Sequence, residues 1–117
     1  MFIKQESIEA INFEGLLIHD FTMGQSTSAS FATIEVPPAT KHREAWSKKS
    51  DKYYYIVSGQ LYFTIDGVEQ LLSKGSLCIV PQGQRFSYQN RSAAPVHIIL
   101  VHVPSFDFES EVFTPEK

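Results

Sequence analysis

His42 and Glu44 stand two positions apart, and on an extended strand this spacing would place both side chains on one face. Imidazole and carboxylate groups bind zinc, iron or manganese, although a site needs at least a third ligand. The other histidines are His19, His97 and His102. His97 and His102 lie five positions apart on one predicted strand, so they face opposite sides and cannot chelate an ion together. His42 and Glu44 are therefore the candidate metal ligands; the alternative is that both are solvated loop residues.

A second set of candidate residues consists mainly of aromatic rings. Tyr54, Phe86 and Tyr88 could line a pocket, where they would suit stacking on a flat ring or a sugar face, or they could simply fill a core. His97 lies in an apolar run, and this position predicts a buried histidine that donates to a carbonyl. Cys78, the one cysteine, lies between apolar residues and is predicted to be a small buried side chain, not a reactive thiol.

The elements that position these residues are short β-favouring runs separated by turn signals between residues 52 and 90. The runs cover residues 52–57, 60–65, 68–72, 76–80 and 85–90. Asp66-Gly67 between two of them predicts a tight hairpin, because a type I′ turn needs positive φ at both central residues. The runs show no helical spacing, so they predict an antiparallel sheet that must close or pair to protect its edges.

The flanking segments extend this all-β prediction. Residues 1–20 are expected to form one or two edge strands, residues 31–36 a strand, and the charged residues 40–51 a loop with a possible helical turn near Glu44. Residues 96–103 are continuously apolar, which is typical of a strand covered on both faces, as in a sandwich core or a dimer seam. The tail, residues 105–117, carries three phenylalanines and is expected to dock on the body.

Length and composition favour a single globular domain over residues 1–117. The net charge of −3 argues against a nucleic-acid partner, which usually requires a basic patch. The N-terminus lacks the order of a signal peptide, and no apolar run has membrane-spanning length, so we expect no membrane partner and a cytoplasmic location.

The central stretch resembles the cupin family. The second cupin motif is a glycine, five residues, Pro-x-Gly, two residues, a histidine, three residues and an asparagine. Gly75, residues 81–83 and Asn90 match this spacing, and Phe86 stands at the histidine position. In the first motif, counting back from Gly59 places Lys52 at the glutamate position, and the two histidine positions fall within residues 45–48, which contain no histidine. The resemblance covers about residues 28–104.

This resemblance implies a jelly-roll barrel of two packed antiparallel sheets, open at one end, and usually a homodimer. In the family, three histidines and one glutamate hold a divalent metal inside the barrel. Phe86 offers no ligand atom, and protonated Lys52 repels a cation, so we expect no cofactor and no metal at those positions. His42 and Glu44 could take part in a rebuilt site only if the loop carries an insertion.

The same alignment predicts that Lys52 points into the barrel. A buried lysine needs a partner, so Lys52 could bind an anionic ligand beside Tyr54 or act as a base or Schiff-base former. The alternatives are an internal salt bridge, or a rim position with the amine in solvent. The expected ligand-binding residues are Lys52, Tyr54, Phe86, Tyr88 and Asn90; alternatively, Asn90 holds the loop that ends the motif.

The sequence thus predicts a barrel that binds a small polar or anionic compound, such as a sugar or a carboxylic acid, without a metal. One alternative is an isomerase or epimerase in which a tyrosine or His97 exchanges protons with the substrate. Another is a sealed barrel that serves as a structural or partner-binding module.

Overall fold

Two antiparallel sheets face each other in the computed structural model of the protein, which describes residues 1–115. The first sheet contains, in spatial order, β1 (Ile11–Phe13), β2 (Leu16–Asp20), β3 (Ser30–Val36), β10 (Val96–Val103), β5 (Asp51–Ser58) and β8 (Leu77–Val80). The second contains β11 (Glu111–Phe113), β4 (Lys41–Ser47), β9 (Phe86–Gln89), β6 (Gln60–Ile65) and β7 (Val68–Ser73). Two short 3-10 turns cover Gln5–Ser7 and Phe108–Ser110. The all-β prediction and the prediction of two packed sheets are confirmed.

The predicted hairpin forms between β6 and β7. Asp66 and Gly67 take φ values of 47° and 81°, so both central residues of the turn have the left-handed conformation that the sequence required. Ile65 pairs with Val68 directly across the turn. The neighbouring runs do not extend this hairpin into one sheet, because β5 and β8 pair with each other in the opposite sheet. The central stretch therefore supplies strands to both walls of the barrel.

The segment predicted to be a charged loop forms a strand instead. Lys41–Ser47 is β4, which pairs with β9 on one side and with β11 on the other. Only one face of β4 is buried, so charged side chains dominate its sequence while Ala45 and Ser47 pack inside. The register with β9 shifts between His42 and Ala45, which marks a β-bulge. The loop prediction was wrong because the charged residues on the outer face of β4 hide the alternation of buried and exposed positions.

The core lies between the inner faces of the two sheets. Strand β10 pairs with β3 and β5 and buries alternate residues, of which Val96, Ile98 and Leu100 are apolar. Its other face is only partly covered within this chain. The apolar run predicted a strand covered on both faces, and within this chain only one face is fully buried. Cys78 is buried, as expected, and burial raises the pKa of its thiol to about 11. Within residues 1–115, no helix has the length and hydropathy needed to cross a membrane.

The C-terminal segment, defined here as residues 104–115, lies across one end of the barrel. The Phe106 amide donates to the Ser30 hydroxyl at the start of β3. Further along, Glu111–Phe113 adds a strand to the edge of β4. Residues 1–20 contribute β1 and β2 at the edge of the first sheet, as the sequence predicted. Residues from both terminal segments therefore border the same end of the barrel.

Candidate functional site

A cavity of about 320 Å³ opens between the sheets at this end of the barrel. Apolar side chains from β1, β2, β3 and the C-terminal segment form most of its wall, including Phe13, Ile34, Phe106 and Phe113. The interior is therefore not sealed, which contradicts the sealed-barrel alternative. Seven polar side chains with ring or charged groups line it: Asp20, His42, Lys52, Tyr54, Tyr88, His102 and Glu111.

Lys52 points into the barrel, as the alignment predicted, and it is almost fully buried. Its ammonium group forms an ion pair with Glu111 Oε1, and the two side chains are only 4% and 6% exposed. Lys52 Nζ also lies 3.2 Å from His102 Nε2 and 4.9 Å from the centre of the Phe86 ring. The internal salt bridge, one of the alternatives that the sequence allowed, is thus the arrangement found. Burial lowers the pKa of Lys52, and the Glu111 carboxylate opposes that effect.

His102 contacts the Lys52 ammonium group of this ion pair and is itself neutral. Burial and the nearby Lys52 charge lower the pKa of His102 to about 3, so its imidazole is neutral at physiological pH. Since Lys52 donates to Nε2, the hydrogen of the neutral ring must be on Nδ1. The His102 ring packs on Phe106 of the C-terminal segment, with 4.9 Å between ring centres.

His42 reaches the cavity from β4 and packs among aromatic rings. Its ring centre lies 5.0 Å from that of Phe86 and 5.1 Å from that of Tyr88. Nδ1 lies 2.6 Å from the Arg43 carbonyl oxygen and donates to it, so in the neutral ring Nε2 is an acceptor. Burial lowers the pKa of His42 to about 4; the Arg43 carbonyl opposes this shift, and the charges of Lys52 and Arg43 add to it. His42 is therefore a neutral imidazole with one free lone pair.

Tyr54 and Tyr88 bring two phenol groups to the same cavity, with ring centres 5.7 Å apart. Burial raises the pKa of both hydroxyl groups, so both remain protonated at physiological pH. The Tyr88 hydroxyl is buried and has no hydrogen-bond partner among residues 1–115. A buried donor without a partner is costly, and a polar ligand group could satisfy it. Phe86 packs against Tyr54, His42 and Lys52 but is not among the residues that line the cavity.

Asn90 is fully buried but does not line this cavity. Its Nδ2 donates to the carbonyl groups of Val36 and Ala94 at 2.9 and 2.8 Å. Its Oδ1 accepts from the backbone and the hydroxyl of Ser92 at 2.9 and 2.7 Å. The amide thus has partners on both sides, and the structure favours the alternative in which Asn90 holds the loop.

Glu44 does not share a face with His42, because the bulge after His42 reverses the alternation of β4. The Glu44 carboxylate is on the outside, where it accepts from the Thr114 hydroxyl at 2.8 Å and lies 3.6 Å from Arg85. The two residues therefore cannot form the predicted metal pair. Within residues 1–115, no three histidine, cysteine or acidic side chains are placed to bind an ion together. The donor set does not fit the divalent metal that the fold family implies.

His97 is on the outer face of the first sheet, so the prediction of a buried core histidine was wrong. Its side chain is half exposed, with Nε2 3.1 Å from Glu35 Oε1 and Nδ1 3.0 Å from Ser58 Oγ. As predicted, His97 and His102 face opposite sides of β10. His97 cannot exchange protons with a molecule in the cavity, because the strand separates them.

Sequence reasoning missed both residues that contact the Lys52 ammonium group through polar atoms, His102 and Glu111. His102 carries a signal that could have revealed it, because it follows the buried Ile98 and Leu100 at two-residue intervals and pairs with Lys52 across β10 and β5. Glu111 carries no comparable signal. It is one of several acidic residues in the tail, and only the pairing of β11 with β4 brings it to Lys52.

Comparison with known proteins agrees with this geometry. The sequence model of the cupin domain matches residues 32–102. The tetracenomycin polyketide synthase protein TcmJ from Streptomyces glaucescens is 31% identical over 74 residues, which cover 63% of this chain and 50% of TcmJ. The chain therefore spans about half the length of that curated relative.

Solved structures of similar shape include two small proteins. Pac13 from Streptomyces, described as a unique nucleoside dehydratase, is 23% identical to this chain. The structural match covers 97% of this chain and 90% of Pac13, with a TM-score of 0.85. KdgF from Halomonas sp. is 14% identical to this chain. The structural match covers 93% of this chain and 99% of KdgF, with a TM-score of 0.81. At these identities, the two structures support the fold alone. The family match extends over more than half of the sequence, and the chain belongs to the cupin family.

Proposed function

We propose that the protein is a metal-independent cupin enzyme that binds a small hydroxylated ring compound and removes water from it by acid–base chemistry. One observation carries the proposal: the neutral His42 imidazole and the side chains of Tyr54 and Tyr88 line a single, mostly apolar cavity. An apolar cavity with a few convergent polar groups is the usual form of a small-molecule site.

The proposed reaction begins with proton abstraction. His42 Nε2 takes a proton from a substrate carbon next to a carbonyl group, and the electron pair of the broken C–H bond becomes an enolate. The C–O bond to the neighbouring hydroxyl then breaks as the carbon–carbon double bond forms. The His42 imidazolium returns its proton to the departing oxygen, which leaves as water, so His42 is regenerated and no oxidant is needed. Tyr54 and Tyr88, which keep their protons, donate hydrogen bonds to the developing oxygen charge.

One of the named relatives supports this class of reaction. Pac13 is described as a nucleoside dehydratase, and its variants with one histidine changed to glutamine or one tyrosine changed to phenylalanine were solved with uridine. The cavity of the present chain also contains a histidine from β4, a tyrosine from β5 and a tyrosine from β9. A nucleoside supplies both the flat ring and the hydroxyl groups that an aromatic cavity with phenol donors can bind.

Uridine is the probe for the binding step. Isothermal titration calorimetry should detect uridine binding to the wild type, weakened about tenfold or more in Tyr88→Phe, because the variant loses a buried hydrogen bond. Tyr53→Phe is the matched control, because it makes the same change on the outer face of β5, away from the cavity. Equal affinity in all three proteins would contradict the assignment of the cavity.

Proton abstraction can be tested without knowing the natural substrate. A panel of hydroxylated aldehydes and ketones, including oxidised nucleosides, is incubated in D₂O, and mass spectrometry follows deuterium uptake and loss of water. His42→Gln should abolish both, because glutamine has no basic nitrogen. Deuterium uptake without loss of water would favour the isomerase alternative. Ligand binding with neither change would instead favour a binding protein without catalysis.

We also propose that the protein is a homodimer. Strands β8, β5 and β10 present an outer face with apolar residues exposed to solvent. This outer apolar face includes Leu77, Ile79, Tyr55, Val57 and Val103. A contiguous exposed apolar surface of this kind is typical of a subunit interface.

A further inference from the structure

The cavity has a charge arrangement that bears on which ligands it accepts. We propose that Glu111 is a specificity-determining residue: it occupies the anion position beside Lys52, so that the cavity accepts uncharged ligands and rejects anionic ones. The inference rests on the proposed function, because it concerns the ligand of the same cavity. It also revises the expectation from the sequence that Lys52 binds an anion.

The Lys52 ammonium group has three partners inside the protein. An ammonium group has three donors and no acceptor. One donor is directed to the Glu111 carboxylate, and a second reaches His102 Nε2 at 3.2 Å. The third side of the group faces the Phe86 ring, whose centre lies 4.9 Å from Nζ, within the range of a cation–π contact. An anionic ligand could bind Lys52 only by displacing Glu111.

The remaining charges of the cavity also disfavour an anion. Among the described residues that line it, Lys52 is the one lysine or arginine, whereas Asp20 and Glu111 are both acidic. Asp20 is held at the cavity by the Thr22 amide, which donates to Oδ1 at 3.2 Å. His42 and His102 are neutral, as shown above, so they add no positive charge. An entering anion would lose its hydration and meet two carboxylates and no unmatched cation.

Glu111 is well placed to set this preference without shaping the rest of the site. It enters from β11, at the edge of the second sheet, while the phenyl rings of Phe106, Phe108 and Phe113 from the same segment form the apolar wall. A change from carboxylate to amide at position 111 would keep the size of the side chain and leave that wall in place. The charge preference of the cavity should therefore change independently of its shape.

The first test uses acetate, so it does not depend on the natural ligand. Glu111→Ala leaves space for a small carboxylate beside Lys52. Its melting temperature should rise with acetate concentration in a saturable way, and calorimetry should detect binding. The wild type should bind no acetate, and the double variant Lys52→Met with Glu111→Ala should lose the response. Glu44→Ala is the matched control, because it removes an exposed glutamate from the same sheet. A folded Glu111→Ala protein that ignores acetate would overturn the inference.

The second test compares two ligands of nearly equal shape, uridine and uridine-5′-carboxylate. The wild type should bind uridine at least about tenfold more tightly, and the isosteric Glu111→Gln variant should reduce or reverse that preference. Glu111→Gln also protects the test if the alanine variant does not fold. Equal affinity of the wild type for both compounds would contradict the role of Glu111. If the wild type binds neither compound while Glu111→Ala binds acetate, the proposed nucleoside-like ligand is wrong, and the role of Glu111 in rejecting anions is supported.

Discussion

Lys52 and Glu111 form an ion pair inside the barrel, although 59 positions separate them in the sequence. Lys52 belongs to β5 in the first sheet, and Glu111 belongs to β11 at the edge of the second. The pair therefore ties the two sheets together, while the pairing of β11 with β4 holds the C-terminal segment across the open end. Because both side chains are almost fully buried, each charge depends on the other for its solvation.

Breaking this pair from one side should be strongly destabilising. We expect Lys52→Met and Glu111→Leu each to lower the free energy of unfolding by about 3–5 kcal/mol, because each leaves one charge buried without a partner. The double variant should lose much less than the sum, since both charges are then absent. Urea denaturation of the four proteins measures the coupling. Replacing Arg91 and Glu69 in the same way is the control, because that pair is exposed and worth about 0–1 kcal/mol. Additive losses at positions 52 and 111 would contradict the argument.

The buried histidines should make the protein less stable in mild acid. The folded state holds the pKa of His42 at about 4 and that of His102 at about 3, both below the ordinary histidine pKa of about 6.5 that an unfolded chain has. As the pH falls below this value, the unfolded state binds protons first, so stability is full above about pH 6.5 and is lost towards pH 4.

Each histidine can contribute a slope of up to about 1.4 kcal/mol per pH unit in that range. Urea unfolding at a series of pH values measures it. His102→Gln should reduce the slope, because the buried imidazole is then absent. Stability that does not vary between about pH 7 and about pH 5 would show that the two rings are not held neutral.

Local sequence signals predicted most of the strands and some of the residues that line the cavity. Asp66-Gly67 identified its hairpin, and the motif spacing placed Lys52 inside the barrel, because both depend on residues close together in the chain. Glu44 was misplaced because a bulge shifts the register of β4, and nothing in residues 41–47 announces it. Glu111 was missed because its role depends on a strand pairing with distant β4. His97 was assigned to the core because its apolar neighbours gave no indication of which face is covered.

Asn90 should matter for stability and not for ligand binding. Asn90→Ala removes four hydrogen bonds and leaves the carbonyl groups of Val36 and Ala94 without this donor, so we expect a loss of about 1–3 kcal/mol or more. Uridine affinity, measured well below the melting temperature, should stay near that of the wild type. Gln89→Ala is the neighbouring control, because the Gln89 side chain contacts Arg91 at the surface. A folded Asn90→Ala protein with sharply weakened binding would return Asn90 to the site.

Gly59 and Gly83 form a natural pair for separating backbone strain from steric clash. Both have positive φ, 88° and 85°, which disfavours any residue with a Cβ. An added Cβ at position 59 would lie 2.9 Å from Val96 Cγ2 and 3.2 Å from the Pro95 carbonyl oxygen, whereas at position 83 it would meet nothing within 4 Å. Gly83→Ala should therefore lower the free energy of unfolding by about 1–2 kcal/mol because of the positive φ alone. Gly59→Ala should lower it by about 1–3 kcal/mol more, because the added Cβ also clashes. Equal melting temperatures for the two variants would show that the β5–β10 contact is looser than described.

The outer apolar face should hold two copies of the chain together. Leu77 on β8 is 56% exposed, and Ile79 and Tyr55 lie beside it on the same side of the sheet. A charge at this position would be buried without a partner in a dimer but would be solvated in a monomer, so Leu77→Lys should shift the protein to monomer. Sedimentation velocity measures the mass directly. Val68→Lys is the control, because Val68 is also exposed, at 65%, but is on β7, at the far edge of the other sheet. A wild type that sediments as a monomer at every concentration, or a Leu77→Lys variant that stays dimeric, would show that this face is not the interface.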